Sequence, residues 1–247
     1  NGAKTEPNVM ATTVELVEGL VAKSQNCFPS VSFDFGAINN FLSKFFPAGF
    51  YYKTFMWPKS FWHKIYEPII RKAAGLGIAP LKPDPDRYEH KFEYCDILIV
   101  GSGPSGLSSA LAAAKNGARI ILAEDKPRFG GSLLTDDVTI GNKNGKDWVD
   151  ETIEQLKSMS NVIIKNRSQV FGYYDHNMMV MFERTKDHIA NPSKFTPRQR
   201  LWYIRAKEVI ISTGSIERPL VFGNNDRPGI FLASAAKEYM KVYGVLV

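Results

Sequence analysis

"DILIVGSGPSGLSSALAAAKNGARIILAED", residues 96–125, is the stretch whose reading decides the fold. Asp96 to Val100 is a short apolar run rich in β-branched residues, the length of one buried strand. Gly101, Gly103 and Gly106 follow as G-x-G-x-x-G. The first glycine permits a tight turn, the second lets backbone approach a pyrophosphate, and the third lets helix pack closely on strand. "LSSALAAAKN" then predicts a helix that stops at Gly117. Its N-terminus directs unpaired N–H groups and the positive end of its dipole at an anion on the turn. "ARIILAED" predicts a second buried strand, ending at Glu124, 18 residues past Gly106. An acid there accepts hydrogen bonds from ribose hydroxyls, and Asp125 stands beside it. Strand, glycine turn, helix and acid at this spacing predict dinucleotide binding. The acid favours a free 2′-hydroxyl, hence NAD or FAD over NADP.

Composition excludes more than it selects. A chain of 247 residues can bury a sizeable core as one or two domains. Its 44% apolar and 23% charged residues are ordinary for a soluble protein. The net charge is +6 and the pI about 9.2. Lysine and arginine are scattered without a dense basic run, so nucleic acid is a poor partner. Cys27 and Cys95 form no C-x-x-C pair and the four histidines are dispersed, so no metal site is expected. No apolar run reaches membrane-spanning length and no signal peptide is visible. A cytoplasmic protein with free thiols is the expectation.

Outward from the glycine turn, two parts are expected: residues 1–90, a loop-rich segment with a linker, and residues 91–247, a dinucleotide-binding domain. In the first part "ATTVELVEGLVAKS" has the spacing of a short amphipathic helix, with Val14, Leu16, Val17 and Leu20 toward a core. Residues 46–62 hold eight aromatics in seventeen positions, broken by Pro47 and Pro58. This run either packs on the nucleotide domain or faces another chain, with Tyr51, Tyr52 and Trp57 the first candidates for such contact. "SFWHKIYEPIIRKAAGLG" predicts a helix interrupted at Pro68 and stopped near Gly75 to Gly77, and "APLKPDPDRYEH" an extended linker.

In the second part Gly130 and Gly131 predict a second glycine turn against the same nucleotide. "DWVDETIEQLKSM" predicts a helix with Asp147 as N-cap and Val149, Ile153 and Leu156 on one face. "NVIIK" is a third parallel strand, and "SQVFGYYDHNMMVMFERT" a hairpin turning at Asp175 to Asn177. "RLWYIRA" and "EVIISTGS" follow as two further strands. The fold class is therefore α/β: a Rossmann-like, two-dinucleotide-binding flavoprotein-type domain, with a parallel sheet and a β-meander, behind a loop-rich aromatic segment.

Several blocks outside the nucleotide motif carry a more specific likeness. "AGFYYKTFMWP" (48–58), "YEPIIRKAAGLG" (66–77), "VGSGPSGL" (100–107), "GGSLL" (130–134), "STGSIERPLVFGNNDRPGI" (212–230) and "LASAAKEYMKVYGV" (232–245) together resemble the α subunit of heterotetrameric sarcosine oxidase. The resemblance implies oxidative demethylation of sarcosine with oxygen and tetrahydrofolate, giving glycine, hydrogen peroxide and methylenetetrahydrofolate. It implies NAD on this chain, FAD on the β subunit, and FMN at the α–β interface attached to β. It also implies β, γ and δ partners, and a subunit several times longer, with a ferredoxin-like segment ahead and a folate-binding domain far beyond. On that basis this chain is expected to be a fragment, cut before the second dinucleotide half.

The resemblance carries cofactor-binding roles to Gly101, Gly103, Pro104, Ser105 and Gly106 of the turn. It carries ribose binding to Glu124, Asp125 and Lys126, and phosphate binding to Gly131 and Ser132. Val170 matches the start of the meander near the adenine, and Thr213 and Gly214 match the closing turn. Ser105 stands where the family usually has alanine, a small change that still leaves amides facing a phosphate. No catalytic residue is named: no His or Cys follows the turn closely, and His176 and His188 are expected at the surface. Two other readings stay open: an FAD-binding subunit of a related amine, imino-acid or opine dehydrogenase or hydrogen cyanide synthase, and a self-standing NADH-dependent flavin oxidoreductase.

Overall fold

A computed structural model describes residues 14–24, 27–30, 32–45, 49, 55–76, 83–225, 227 and 229–247. By internal contacts the chain divides into two units, residues 1–85 and 86–247.

In the first unit the described residues are mostly short turns. Residues 14–24 form no helix, against the sequence expectation: Leu16 is 82% exposed and Leu20 47%, with only a turn at Glu18 and Gly19. An apolar stripe of so few residues does not hold a helix without a surface to bury it. Asp34 organises the next stretch, its Oδ1 accepting from the Phe28 and Gly36 amides, each at 2.9 Å. Helix α1 (Ile38–Leu42) follows. Trp62–Tyr66 makes one wide π-helical turn that runs into α2 (Glu67–Ala73). Pro68 sits in the first turn of α2, where its missing N–H costs little, so it starts this helix instead of breaking it. Tyr66 donates its hydroxyl to the Trp57 carbonyl at 3.0 Å. Trp57 itself is 82% exposed; Tyr51 and Tyr52 lie outside the described residues.

In the second unit the strands are β1 (Tyr88–Val100), β2 (Ile120–Ala123), β3 (Thr139–Ile140), β4 (Lys143–Asn144), β5 (Val162–Lys165), β6 (Ser168–Tyr174), β7 (Met178–Arg184) and β8 (Gln199–Ile211). The helices are α3 (Pro104–Lys115), α4 (Gly145–Lys157) and α5 (Ala233–Tyr243). The described residues form a six-stranded sheet in the order β5-β2-β1-β8-β7-β6. The first four strands are parallel; β8, β7 and β6 form the antiparallel meander. This is the Rossmann-type layout expected from the sequence. The small β3–β4 hairpin was not anticipated.

Alternation in β2 divides the core. Ile120 and Leu122 pack with Leu107, Ala110 and Ala114 of α3 and Val149, Ile153 and Leu156 of α4. Ile121 and Ala123 pack on the other face with Met179 and Met181 of β7 and Ile204 of β8. Both faces of β2 are thus buried, which is why it reads as a continuous apolar run.

β1 and β8 are each much longer than the sequence suggested. Their pairing runs from Tyr88 with Gln199 to Val100 with Ile211, and skips Asp96 and Lys207. There the alternation slips: Cys95 and Leu98, three residues apart, share one core cluster, as do Ala206 and Val209. The two segments expected as separate strands, "RLWYIRA" and "EVIISTGS", are one strand that changes face at Lys207. Lys207 Nζ lies 2.9 Å from Asp96 Oδ1 at that point. Arg119 also reaches Asp96 through its backbone N–H (2.9 Å) and its guanidinium (3.2 Å).

The cap of α4 also differs from expectation. Asn144 is the N-cap, its Oδ1 accepting from Lys146 N at 2.9 Å, and Asp147 lies in the first helical turn. There its charge favours the helix dipole without capping. Val149, Ile153 and Leu156 are buried as expected.

Candidate functional site

The turn between β1 and α3 contains two kinds of glycine. Gly101 has φ +97°, and a Cβ there would stand 2.4 Å from the Ser212 carbonyl oxygen. A Cβ on Gly106 would stand 2.0 Å from the Gly101 carbonyl oxygen. Both are glycine because the chain itself leaves no room. Gly103 differs: its φ of −68° and ψ of −176° suit any residue. Among the described residues nothing lies within 4 Å of the Cβ it lacks. No contact among them demands a glycine there, so the space above it is a cradle that a side chain would fill. It lies at the N-terminus of α3, where first-turn N–H groups have no partner within the helix. Pro104 opens that helix, its absent N–H being no loss at such a position.

The second glycine turn meets the first. Gly130 donates its N–H to the Ser102 carbonyl at 3.0 Å. Gly131, at φ +54°, comes so near that its Cβ would lie 3.0 Å from Gly103 Cα. Ser132 follows in the helical turn Gly131–Leu134. Thr213 and Gly214 leave the top of β8 beside Gly101, after Ser212 donates to the Val100 carbonyl at 2.7 Å. Both are exposed there, and Gly214 has φ +71°.

Glu124 ends β2 and is 8% exposed. Its Oε2 accepts from the Ser102 amide (2.9 Å) and the Ser102 hydroxyl (2.5 Å). Its Oε1 accepts from the Lys126 amide at 3.0 Å. Burial pushes the Glu124 carboxyl above its ordinary range, and the adjoining Asp125 carboxyl adds to this. The Ser102 hydroxyl and the amides of Lys126 and Ser102 pull it back. The carbonyl of Asp125 accepts from Arg184 Nη2 at 2.6 Å, and Lys126 Nζ approaches Glu238 of α5 at 3.5 Å. Ser168 donates to the Glu124 carbonyl at 2.7 Å, which starts β6 beside the acid and places half-buried Val170 two residues on.

The structure therefore gathers Gly101, Gly103, Gly106, Glu124 and Gly131 around one cradle. Sequence reasoning missed Ser102, which is fully buried and touches Glu124 and Gly130. The available signal was a hydroxyl between two glycines, where a small apolar residue suffices for the turn. His176 is exposed on the hairpin turn as expected, whereas His188, in the loop that leaves β7, is half-buried. Among the described residues no group of His, Cys, Asp and Glu is arranged to hold a metal. Among them too, no helix is long and apolar enough to cross a membrane.

Residues 96–185 match the family described as FAD dependent oxidoreductase. The chain is 50% identical to "Sarcosine oxidase subunit alpha" of Rhizobium meliloti (strain 1021), over 99% of this chain and 25% of that protein. It is 41% identical to the protein of the same description from Corynebacterium sp. (strain P-1), over 69% of this chain and 18% of that one. Among solved structures it is similar to L-proline dehydrogenase from P. horikoshii, with a TM-score of 0.53 and 26% identity. That likeness covers 64% of this chain and 30% of the other. The chain spans a quarter or less of the length of the two sequence relatives.

Proposed function

This chain is a homologue of the sarcosine oxidase alpha subunit, and from that premise we propose that it is the dinucleotide-binding part of an amine-oxidising flavoprotein complex. The observation that carries the reading is Gly103, a glycine that no contact among the described residues requires, set between a helix N-terminus and a buried acid. An adenine dinucleotide fits this donor set. The pyrophosphate would be held at Gly103, Pro104, Ser105 and Gly106, and against Gly131 and Ser132 of the second turn. Glu124, with Asp125 and Lys126, would hold the adenosine ribose. Val170 would meet the adenine, and Thr213 and Gly214 would close the turn.

NAD is the proposed ligand, held for structure and orientation. When bound, a nicotinamide or flavin ring supplies hydride chemistry, whereas this chain's residues bind and orient it. We assign no catalytic residue to the chain. The reaction proposed for the whole assembly is oxidative demethylation of sarcosine with oxygen and tetrahydrofolate, to glycine, hydrogen peroxide and methylenetetrahydrofolate. FAD and FMN belong in this reading to the partner β subunit, γ and δ complete the complex, and the folate site lies in a further domain. A cytoplasmic setting belongs to the same proposal. The exposed Trp57, within the aromatic run of residues 46–62, is the proposed contact with a partner chain.

A second reading places FAD at the same turn, as in a related amine, imino-acid or opine dehydrogenase or a hydrogen cyanide synthase. The match to FAD dependent oxidoreductases favours it. Extraction of the purified chain with acid or heat, followed by absorbance and mass spectrometry of the supernatant, separates the two. A colourless adenine dinucleotide at one per chain is the expected result. Stoichiometric FAD selects the second reading, and no adenine dinucleotide at all refutes both.

A further inference from the structure

Ser102 lies between the first two glycines of the turn and is fully buried. Its backbone N–H and its hydroxyl both reach the same oxygen of Glu124, Oε2, at 2.9 and 2.5 Å. The same hydroxyl oxygen accepts from Gly130 N at 3.4 Å, so one atom joins the first glycine turn, the second glycine turn and the acid at the end of β2. An ionised carboxylate has about four acceptor positions and no donor. Here the protein's donors occupy both positions on Oε2 and one on Oε1, where Lys126 donates at 3.0 Å. The remaining acceptor position belongs to Oε1, on a carboxyl that the Asp125 side chain adjoins. A free carboxylate rotates about its last torsion, and this one is pinned.

We propose that Ser102 is a positioning residue for the bound dinucleotide: its hydroxyl fixes Oε2 of Glu124 so that Oε1 is presented to a ribose hydroxyl. This rests on the reading of Glu124 as the ribose-binding acid. A purely structural role, satisfying a buried carboxylate, makes the same hydrogen bonds but a different forecast. Removing the hydroxyl would then weaken every nucleotide alike, through the fold. A positioning role touches only nucleotides that carry ribose hydroxyls.

The test compares ADP with 2′,3′-dideoxy-ADP by titration calorimetry on the full protein freed of its dinucleotide. Wild type is expected to bind ADP about tenfold more tightly than the dideoxy compound, as for one or two net hydrogen bonds. In Ser102→Ala the ratio is expected to fall to about twofold or less, with affinity for the dideoxy compound unchanged. Ser102→Gly removes the same oxygen and repeats the measurement should the alanine variant not fold. A variant that keeps the tenfold ratio, or that loses both nucleotides equally, overturns the positioning role alone. A wild type that binds both compounds equally overturns the ribose role of Glu124, and the role of Ser102 with it.

Discussion

Substituting alanine at two glycines of one turn, three residues apart, is expected to produce opposite failures. At Gly106 the new Cβ would stand 2.0 Å from the Gly101 carbonyl oxygen. Ordinary carbon–oxygen contact is roughly 3.3 Å, so turn and helix must part by roughly 1.3 Å. The seam that opens holds Leu107 and Ala110 of α3 against Ile99 and Leu122, all fully buried. Overpacking of this kind costs about 3 kcal/mol, enough to lower the Tm by roughly 6–12 °C. At Gly103 the new Cβ meets none of the described residues within 4 Å and φ is −68°. A slightly poorer N-cap and a less flexible unfolded chain nearly offset each other, so stability should change by less than about 0.5 kcal/mol. The methyl group instead occupies the cradle and holds a pyrophosphate away from the helix amides. Losing one or two hydrogen bonds to a charged group is worth about 3 kcal/mol, or roughly a hundredfold in affinity. Thermal melts and calorimetric titration with NAD, FAD and ADP-ribose measure the two effects separately. A Gly103→Ala protein that binds as wild type does would refute the placement of the pyrophosphate. A Gly106→Ala protein as stable as wild type would refute the steric account of the turn.

Two further outcomes concern ionisable groups in the same unit. Hydrogen bonds from the Arg119 guanidinium, the Arg119 amide and Lys207 hold the Asp96 carboxyl well below its ordinary 3.8. Because the folded value is the lower one, this contribution to stability is complete above the ordinary value and is lost as the pH falls below it. Melting curves from about pH 5 to pH 2 should therefore show the wild type losing its advantage over Asp96→Asn; a constant difference would contradict the linkage. Burial pushes the Cys95 thiol up to about 12. At about pH 8 a thiol reagent should label half-buried Cys27 and spare Cys95 until the protein unfolds, as peptide mass mapping would show, and early labelling of Cys95 would contradict its burial.

Where a feature depended on neighbours close in sequence, it was legible in advance. The glycine turn, α3 ending before Gly117, the buried face of α4 and the hairpin turn at Asp175–Asn177 all stand where the pattern placed them. Each is set by spacing within one element, by a residue able to adopt positive φ, or by an apolar stripe at helical period. The expected helix in residues 14–24 failed because its few apolar positions found no surface to cover them. The Asn144 cap was missed because Asn144 and Asp147 are both plausible caps on sequence alone, and the choice follows from where the β3–β4 hairpin delivers the chain.

By itself the sequence determined that a parallel sheet would carry a glycine-rich turn with an acid at the end of its second strand, because period and spacing are local properties. Only the tertiary structure decided the rest. Tyr88–His90, the end of the expected linker, and Lys91–Cys95, ahead of the expected strand, become part of one long strand because their backbone groups pair with β8, far away in the chain. Gly106 and Gly103 are alike in the motif and opposite in cause, since one is crowded by backbone and the other by none of the described residues. Ser102 and Glu124 meet 22 residues apart, and only folding exposes that contact. A burial or a hydrogen bond between distant segments is a property of the surfaces that close around it, and no residue's immediate neighbours encode those surfaces.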